Sequence, residues 1–366
     1  ASMADIQWNT ARTKNILVIK MRHIGDTVLV TPLLHTLKQA MPRTRLHLLI
    51  NQQTAAIVKG HPHIHSLIVF DYDRAKRDLP YFFKFLLNIR RLGCDIVMDL
   101  TRNDRSALFT FVSGAAVRIG YQGRSFFLQK AYTHCLPYRF DSRHTVDHNL
   151  EMAVALGLPI TDIHPYLTVS DVNRQRIRHV LLENGSRPGL PIVIMHPGAR
   201  RWYKSWPLER FSRTADVLMT RYPVQVVLSG GPEDRQACQR IASGMTQPVI
   251  DLCDKVPLEL LPALMGESIL FLGNDAAPIH VATAVNTPVI ALFGPTRWED
   301  WQPRRDHDKT LGIAFPCRPC GHSRPDCPLG DGYCMSEITE EMVCQAIEER
   351  FEAIGLKKTS NCSVRH

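Results

Sequence analysis

The sequence lacks any apolar run close to the about 20 residues that a membrane-spanning helix needs. It also lacks a basic-then-apolar segment at its start, which would be typical of a secretion signal, and it contains neither short repeats nor low-complexity segments. These absences predict a cytoplasmic protein. Reduced thiols rather than disulfides are then expected for its ten cysteines.

Acidic residues are in the minority, because 35 Asp and Glu accompany 44 Lys and Arg, which gives a formal net charge of +9. A positive surface favours anionic partners, namely nucleic acid, phosphorylated sugars or the anionic face of a membrane. No nucleic-acid recognition motif accompanies the charge, so we expect no nucleic acid among the partners. The charge alone does not choose between the other two.

Short apolar runs alternate with amphipathic stretches along most of the 366 residues. The predicted strand NILVIK (15–20) leads into a predicted helix from about 27 to 40, and the alternation fades across 136–190 before it restarts. Continuously apolar strands separated by helices are typical of a parallel sheet that is covered on both faces. We therefore predict an α/β protein with two doubly wound, Rossmann-like domains, 1–170 and 171–366, the second with a cysteine-rich loop (317–334) and a C-terminal helix (338–355).

Ligands of such sheets bind outside the carboxyl ends of the strands, which directs attention to the loops. The loop RHIGD (22–26) leaves the first strand and lacks the G-x-G-x-x-G spacing of a dinucleotide site. Gly25 allows a tight turn with positive φ, which would place Asp26 at or near a helix N-cap. Asp26 is then either a capping residue or a catalytic carboxylate, and Arg22 and His23 add hydrogen-bond donors to the same loop.

The loop HPGARRWYKSWP (196–207) leaves the first predicted strand of the second domain, as RHIGD leaves the first strand of the first domain. Gly198 begins it, and Arg200 and Lys204 belong to a group of cations that suits a diphosphate. A solvated basic loop is the alternative. The two tryptophans argue against simple solvation, and we expect them to pack the loop down at the domain interface.

The next strand ends in LSGGPEDR (228–235). Gly230 allows a ligand to approach the backbone, and Glu233 can accept hydrogen bonds from ribose hydroxyls. An ordinary strand–turn–helix junction with an acidic cap explains the same residues equally well.

The stretch GNDAAPIH (273–280) places small residues at the start of a helix. Asp275 ends the strand, and Ala276 and Ala277 leave backbone N–H groups open to a phosphate at the positive end of the helix dipole. His280 lies one turn further along. It either faces the same ligand or is a buried structural histidine.

Four cysteines follow the last strand with the spacing C-x2-C-x6-C-x6-C. Thiolates at this density can hold zinc or iron, although the later gaps match no standard zinc finger. The stretch is thus either a structural metal site or a cysteine-rich loop without metal. Its members are Cys317, Cys320, Cys327 and Cys334.

Three stretches together resemble the bacterial lipopolysaccharide heptosyltransferases: KNILVIKMRHIGDTVLVTPLLHTLK (14–38), HPGARRWYKSWP (196–207) and FLGNDAAPIHVATAVNTPVIALFGPT (271–296). The resemblance runs from about residue 14 to 355 and keeps the order of the motifs. The KMRHIGD variant is most similar to the heptosyltransferase III (Q-type) branch. This resemblance implies a GT-B fold, with two domains that face each other across a cleft.

The resemblance further implies an inverting transfer of heptose from ADP-L-glycero-D-manno-heptose. Lys204, Arg200 and the helix end before His280 can stabilise the departing diphosphate, so we expect that catalysis requires no cofactor. The general base of the family falls on Asp26, its phosphate-loop lysine on Lys204, and its diphosphate-site residues on Asp275 and His280. Relatives often have a hydroxyl residue and glycine after the aspartate, whereas this chain has two alanines, so only backbone N–H donors remain there.

The implied acceptor is a phosphorylated Kdo/heptose–lipid A core at the inner membrane, to whose anionic surface the protein would attach peripherally. Cationic donors predicted on first-domain loops suit such an acceptor: Arg22, His23, Arg102, Arg105, Arg118 and Arg124. The competing interpretations are a nucleotide-sugar epimerase or a transferase of another sugar on the same fold, and a non-catalytic protein that binds nucleotide or lipid A.

Overall fold

The computed structural model describes residues 13–123, 130–137, 143–320 and 333–359. The chain divides into two compact units, residues 1–168 and 169–366. Each unit is built on a parallel sheet with helices, so the predicted α/β architecture with two doubly wound sheets is confirmed.

The first unit has its sheet in the order β3-β2-β1-β4-β5-β6, with every pairing parallel. Its strands are β1 Asn15–Ile19, β2 Arg45–Asn51, β3 Ser66–Phe70, β4 Ile96–Asp99, β5 Val117–Tyr121 and β6 His134–Leu136. Its helices are α1 Ile24–Val28, α2 Thr31–Ala40, α3 Tyr72–Arg77, α4 Leu79–Arg91, α5 Asp104–Ser113 and α6 Thr145–Val154, with a 3-10 helix at Gln52–Val58.

The second unit has the sheet order β12-β11-β10-β7-β8-β9, also parallel throughout. Its strands are β7 Ile192–His196, β8 Gln225–Leu228, β9 Ile250–Asp251, β10 Leu270–Asn274, β11 Val289–Phe293 and β12 Lys309–Gly312. Its helices are α7 Asp171–Glu183, α8 Leu208–Arg221, α9 Arg235–Ser243, α10 Leu261–Gly266, α11 Ala277–Ala284, α12 Tyr333–Ser336 and α13 Glu340–Ala353, and 3-10 helices lie at Trp202–Lys204, Pro232–Asp234, Leu258–Leu260 and Trp298–Asp300.

Central strands are buried along their whole length, which explains why their sequences are apolar without alternation. All five residues of β1 and of β10 are buried, as expected for strands that have helices on both faces. Because all strands in each sheet are parallel, the loops that leave their carboxyl ends lie along one edge.

The helix predicted from about 27 to 40 is interrupted. It forms as α1 and α2, with a break at Leu29 and Val30. Pro32 causes the break, because it has no N–H to donate to a carbonyl in the preceding turn. The hydroxyl of Thr31 donates to the Val28 carbonyl at 2.7 Å instead.

Several elements differ from the predicted pattern. Strands β5, β6 and β12 and helix α7 were not predicted, because the strands are short and the helix is rich in polar residues, so both give a weak apolar periodicity. The cysteine-rich stretch is not a loop throughout, since Cys334 lies in α12. The C-terminal helix begins and ends two residues inside the predicted bounds. Among the described residues, no helix combines the length and the apolar character needed to cross a bilayer.

Acid is expected to destabilise the first unit through His61. The ring accepts the His63 N–H at Nδ1 and lies 3.2 Å from the Tyr166 carbonyl at Nε2, which fixes a neutral tautomer that donates from Nε2. Burial, the largest cause, lowers the pKa of His61 to about 4, with His63 acting in the same direction. A histidine whose pKa is lower in the folded state adds stability above its unfolded pKa and loses it as the pH falls toward the folded value.

We therefore expect the wild type to lose about 1 kcal/mol of unfolding free energy through this group between pH 7.5 and 5.5. Thermal unfolding at the two pH values measures the loss. His61→Gln keeps a donor and an acceptor but does not titrate, so its melting temperature should depend less on pH. An equal pH dependence in both proteins would contradict the assignment.

Candidate active site

Asp26 lies at the carboxyl edge of the first sheet. The structure corrects two details of the prediction: Gly25 is inside α1 rather than in a turn with positive φ, and Asp26 is the third residue of that helix, with His23 at the N-cap. The His23 N–H donates to Asp26 Oδ2 at 3.4 Å. Asp26 therefore caps the backbone with one carboxylate oxygen and keeps the other for a second partner.

That second partner is Lys20, whose Nζ lies 3.3 Å from Asp26 Oδ1. Lys20 is buried, and desolvation lowers its pKa, while the charge of Asp26 acts in the opposite direction. Its Nζ also donates to Asn149 Oδ1 at 3.4 Å, and the Asn149 amide donates to the Leu29 carbonyl at 2.8 Å. A buried cation thus provides a fixed counter-ion behind the carboxylate.

The sequence interpretation missed both Lys20 and Asn149. A lysine directly after a buried strand was a usable signal, because lysine is almost never fully buried without a partner. Asn149 gave no signal, since it lies more than a hundred residues away on α6 and only the fold brings it to Lys20.

The predicted acceptor residues of the first unit divide into two groups. Arg22 donates to the Thr101 carbonyl at 2.7 Å, which ties the loop after β1 to the loop after β4. Arg102 follows in that second loop with φ of 63°, and its N–H donates to Asp99. Both cations therefore lie at the same sheet edge as Asp26.

Arg105 and Arg118 were predicted on loops, but the structure places them in a helix and a strand. Arg105 lies in α5 with its guanidinium 3.9 Å from the centre of the Tyr72 ring. Arg118 lies near the amino end of β5 and donates to the Ala115 and Ala131 carbonyls, both at 2.7 Å. Arg124 lies outside the described residues.

In the second unit, Lys204 and Asp275 form an ion pair. Lys204 Nζ lies 2.7 Å from Asp275 Oδ2, and both side chains are largely shielded from solvent. Lys204 ends the 3-10 helix in the loop after β7, and Asp275 directly follows β10. The Asp275 N–H donates to the Leu292 carbonyl at 3.0 Å, which fixes the carboxylate that orients the lysine.

Asn274 holds the loop that carries Lys204. Its Oδ1 accepts the Trp206 N–H at 3.0 Å, and its Nδ2 donates to the Pro197 carbonyl at 2.7 Å. The indole of Trp206 is fully buried in the core of the second unit and donates to the Ile338 carbonyl. The expectation that Trp206 packs at a domain interface is therefore wrong, because this side chain belongs to the core.

The start of α11 is open, as predicted. Ala276 is at the N-cap, Ala277 begins the helix and Pro278, which has no N–H, is second. In the described part of the chain, the Ala276 and Ala277 N–H groups have no protein acceptor. His280 is buried on the first turn, with its ring 6.3 Å from that of Trp301.

Glycines in the loops after β7 and β8 allow the largely shielded carboxylate of Asp234 to approach the backbone. A Cβ at Gly198 would lie 2.4 Å from Asp234 Oδ1, and one at Gly230 would lie 2.7 Å from the Asp234 Cβ. Asp234 accepts the Gly231 N–H at 2.9 Å and lies 3.8 Å from His196 Nε2. The sequence interpretation selected the neighbouring Glu233, which is exposed in the 3-10 helix.

Burial lowers the pKa of His196, against the opposing effect of Asp234 and Glu233. Its ring also contacts the Ser229 hydroxyl, at 3.2 Å from Nδ1. This polar group lies at the carboxyl ends of β7 and β8. Asp234 was missed because the side chain next to it in sequence has the same chemistry.

Two groups of cysteines stand out among the described residues. Cys320 donates its N–H to the Pro295 carbonyl, and a Cβ on the adjacent Gly294 would lie 3.0 Å from Cys334 Sγ, so both cysteines reach the same turn. Cys317 is exposed, and Cys327 lies outside the described residues. A second group was not predicted: one ligand atom from each of Cys238, Asp251 and Cys253 lies within 4.8 Å of the others.

The architecture of both units is found in solved glycosyltransferases. A glycosyl transferase family 9 protein from Veillonella parvula superposes with a TM-score of 0.80 at 24% identity, covering 93% of this chain and 97% of that chain. Escherichia coli ADP-heptose lipopolysaccharide heptosyltransferase II gives a TM-score of 0.78 at 20% identity, with coverage of 93% and 99%. The fold is therefore of the GT-B-like class.

Sequence comparison identifies the family within that class. The family model described as Glycosyltransferase family 9 (heptosyltransferase) matches residues 82–327. Lipopolysaccharide heptosyltransferase 3 of Escherichia coli is 33% identical over 291 residues, which is 77% of this chain and 84% of that protein. This chain belongs to glycosyltransferase family 9, the heptosyltransferases, and is a glycosyltransferase. The resemblance predicted from the three sequence motifs is confirmed.

Proposed function

We propose that this enzyme transfers heptose from ADP-L-glycero-D-manno-heptose to the inner core of lipopolysaccharide with inversion at the anomeric carbon. Family membership and the lipopolysaccharide heptosyltransferase relative support the reaction class and the substrates. The single structural observation that carries the mechanism is the Lys20–Asp26 pair at the carboxyl edge of the first sheet.

In this mechanism an acceptor hydroxyl attacks the anomeric carbon of heptose, and the bond from that carbon to the diphosphate oxygen breaks on the opposite face. Asp26 accepts the hydroxyl proton as the new bond forms. A positioned base typically contributes about 10²–10⁴-fold to the rate. The transition state has oxocarbenium character, as in glycoside hydrolysis.

Negative charge grows on the diphosphate as ADP departs. Lys204, oriented by Asp275, and the open N–H groups of Ala276 and Ala277 are suited to stabilise that charge. Other donor-site residues in the proposal are Gly198, Arg200, Gly230, Glu233 and His280. These cations and dipoles perform the task of a divalent metal, so the proposal needs no catalytic cofactor.

The acceptor in this proposal is a phosphorylated Kdo/heptose–lipid A saccharide. Arg22, His23 and Arg102 are close to Asp26 in the fold of the first unit and are suited to its phosphates. Arg105 and Arg124 stay in the proposed acceptor set, whereas both ends of the Arg118 guanidinium bond backbone carbonyls. We place the enzyme at the cytoplasmic face of the inner membrane, where such an acceptor is anchored.

The decisive experiment incubates the purified protein with ADP-heptose and a panel of truncated core acceptors, and reads the products by mass spectrometry. The expected product carries one added heptose and appears together with free ADP. A protein that binds ADP-heptose but yields no glycosidic product with any acceptor would contradict the proposal.

Replacing Lys20 with methionine should lower both the turnover number and the stability. The substitution removes the counter-ion of Asp26, so we expect the turnover number to fall at least tenfold. Removing one partner of a buried ion pair leaves Asp26 without its counter-ion and Asn149 Oδ1 without its donor, so the melting temperature should fall as well. Steady-state kinetics and thermal unfolding test the two effects, with Lys255→Met on the exposed surface as the control. A loss of stability without loss of turnover would contradict the assignment.

We retain a structural zinc or iron ion at Cys317, Cys320, Cys327 and Cys334 as a proposal. The positions of Cys320 and Cys334 at one turn support it, and thiolates are suitable ligands for either metal. Elemental analysis of the purified protein tests this: we expect about one metal ion per chain, lost in Cys320→Ser. If the wild type contained no metal and had the same melting temperature as Cys320→Ser, the site would be excluded.

A further inference from the structure

Helix α4 presents an apolar stripe outward, in addition to the apolar face that it buries. Phe85 and Ile89 lie in the core cluster of the first unit. Leu79, Phe83 and Leu87 face outward and are 63%, 60% and 55% exposed. Because they are four residues apart, they follow one side of the helix over about 12 Å at 1.5 Å per residue. A contiguous exposed row of this kind marks an interaction surface, whereas single exposed apolar residues do not.

Cations surround this stripe. Between residues 72 and 91 the sequence has six lysines and arginines but only two aspartates. Lys84 is exposed next to Phe83, and Arg91 is exposed one helical turn beyond Leu87 on the same line. Asp78 does not offset this charge fully, because it caps α4 and pairs with Arg74 at 3.2 Å.

The surface beside the stripe also has features suited to a polar headgroup. A depression of about 390 Å³ is lined by polar and apolar side chains together: Arg74, Asp78, Lys84 and Asn88 with Pro80, Tyr81 and Phe85. Tyr72 is exposed, and the Lys76 ammonium lies 3.9 Å from the centre of its ring. Tyrosine at an apolar–polar boundary is common where a protein meets the headgroup layer of a bilayer.

We propose that the α4 surface, formed by Leu79, Phe83 and Leu87 with their flanking cations, is the face by which this enzyme binds an anionic lipid bilayer. The apolar stripe enters the boundary between headgroups and acyl chains, and the lysines and arginines contact lipid phosphates. The thirteen-residue helix lies in the plane of the interface. The inference deepens the proposed function, on which it rests for the membrane-anchored acceptor.

A second copy of this chain is a poorer occupant. Two α4 surfaces with an excess of cations would repel each other, and three apolar side chains are few compared with the about 20–30 residues per side of a stable protein interface. An anionic bilayer satisfies the apolar stripe and the cations together.

The test compares binding of the full-length protein to vesicles of phosphatidylethanolamine with and without phosphatidylglycerol, by co-sedimentation. We expect the wild type to prefer the anionic vesicles and to be released by salt. The variant Leu79→Ser/Phe83→Ser/Leu87→Ser should bind at least tenfold more weakly. Val172→Ser/Leu182→Ser removes two exposed apolar side chains of α7 and should bind within twofold of the wild type.

A second variant tests the charges. Lys84→Glu/Arg91→Glu should lose the preference for anionic vesicles while its melting temperature stays unchanged, because both side chains are exposed. Equal vesicle binding by wild type and stripe variant would overturn the proposal. Sedimentation velocity tests whether a second copy of the chain occupies the surface instead. Self-association of the wild type that the stripe variant abolishes, and that lipid does not affect, would also overturn the proposal.

Turnover distinguishes failure of this inference from failure of the proposed function. With ADP-heptose, the stripe variant should match the wild type on a deacylated, water-soluble acceptor and fall at least fivefold below it on an acceptor embedded in anionic vesicles. Equal turnover on the embedded acceptor would overturn the surface assignment. A wild type that transfers heptose to neither acceptor would refute the proposed function, and vesicle binding would still decide the α4 surface.

Discussion

Replacement of Asp26 by asparagine is expected to lower the turnover number by about 10²–10⁴-fold, the typical contribution of a positioned general base. The amide is nearly isosteric and can still accept the His23 N–H at one oxygen, but it cannot collect the acceptor proton. The apparent affinity for ADP should stay within about twofold, since Asp26 lies in the first unit and the proposed ADP residues lie in the second. Steady-state kinetics and calorimetric titration with ADP measure the two quantities.

The matched control is Asp216→Asn. Asp216 is also a carboxylate that caps backbone N–H groups, those of Thr246 and Gln247, but it lies on α8. This control should lose some stability and keep its turnover number. If Asp26→Asn retained more than a tenth of wild-type turnover, or if its loss merely followed a drop in melting temperature, the role of general base would be refuted.

Replacement of Lys204 by methionine is expected to have the second largest effect. Removal of a group that stabilises charge developing in the transition state typically lowers the turnover number by about 10²–10³-fold. In the proposed mechanism Lys204 also contacts the diphosphate in the ground state, so the affinity for ADP should fall as well, unlike in the Asp26 variant. Titration calorimetry with ADP and initial rates with ADP-heptose measure the two losses.

Asp275→Asn tests whether the ion pair matters for orientation. The asparagine can still accept a hydrogen bond from Lys204 but carries no charge, so we expect a smaller loss of turnover, of about tenfold. Lys255→Met removes a lysine that donates to Asn184 on the surface of the second unit and should behave as wild type. Full activity of Lys204→Met would eliminate this lysine from leaving-group stabilisation.

Local patterns predicted the fold well because buried parallel strands are continuously apolar. The stretch RHIGD led to Asp26, and GNDAAPIH led to an open helix start, since both lie directly after such strands. The position of Asp26 within α1 was mispredicted, because a glycine after a strand suggests a turn as readily as a helix.

The hydrogen-bond partners that are distant in the chain could not be predicted from a single sequence. Asn149 reaches Lys20, and Asn274 reaches both Pro197 and Trp206, across separations that only the folded sheet closes. The exposed stripe of α4 was equally hidden, because LPYFFKFLL is apolar on both sides of the helix and the sequence does not say which side is buried.

The hydrogen bond that the Asn274 amide accepts from Trp206 separates the Lys204 loop into a fixed part and an exposed part, which matters for protein engineering. Trp206 is tied to the amide and buried in the core, whereas Arg200 and Trp202 are exposed. Libraries that aim to change the sugar nucleotide should therefore still yield folded protein when residues 200–202 are varied. They should fail to yield folded protein when residue 206 or 274 is varied. The exposed part of the loop can be varied by directed evolution, whereas the part at Trp206 is needed for the fold.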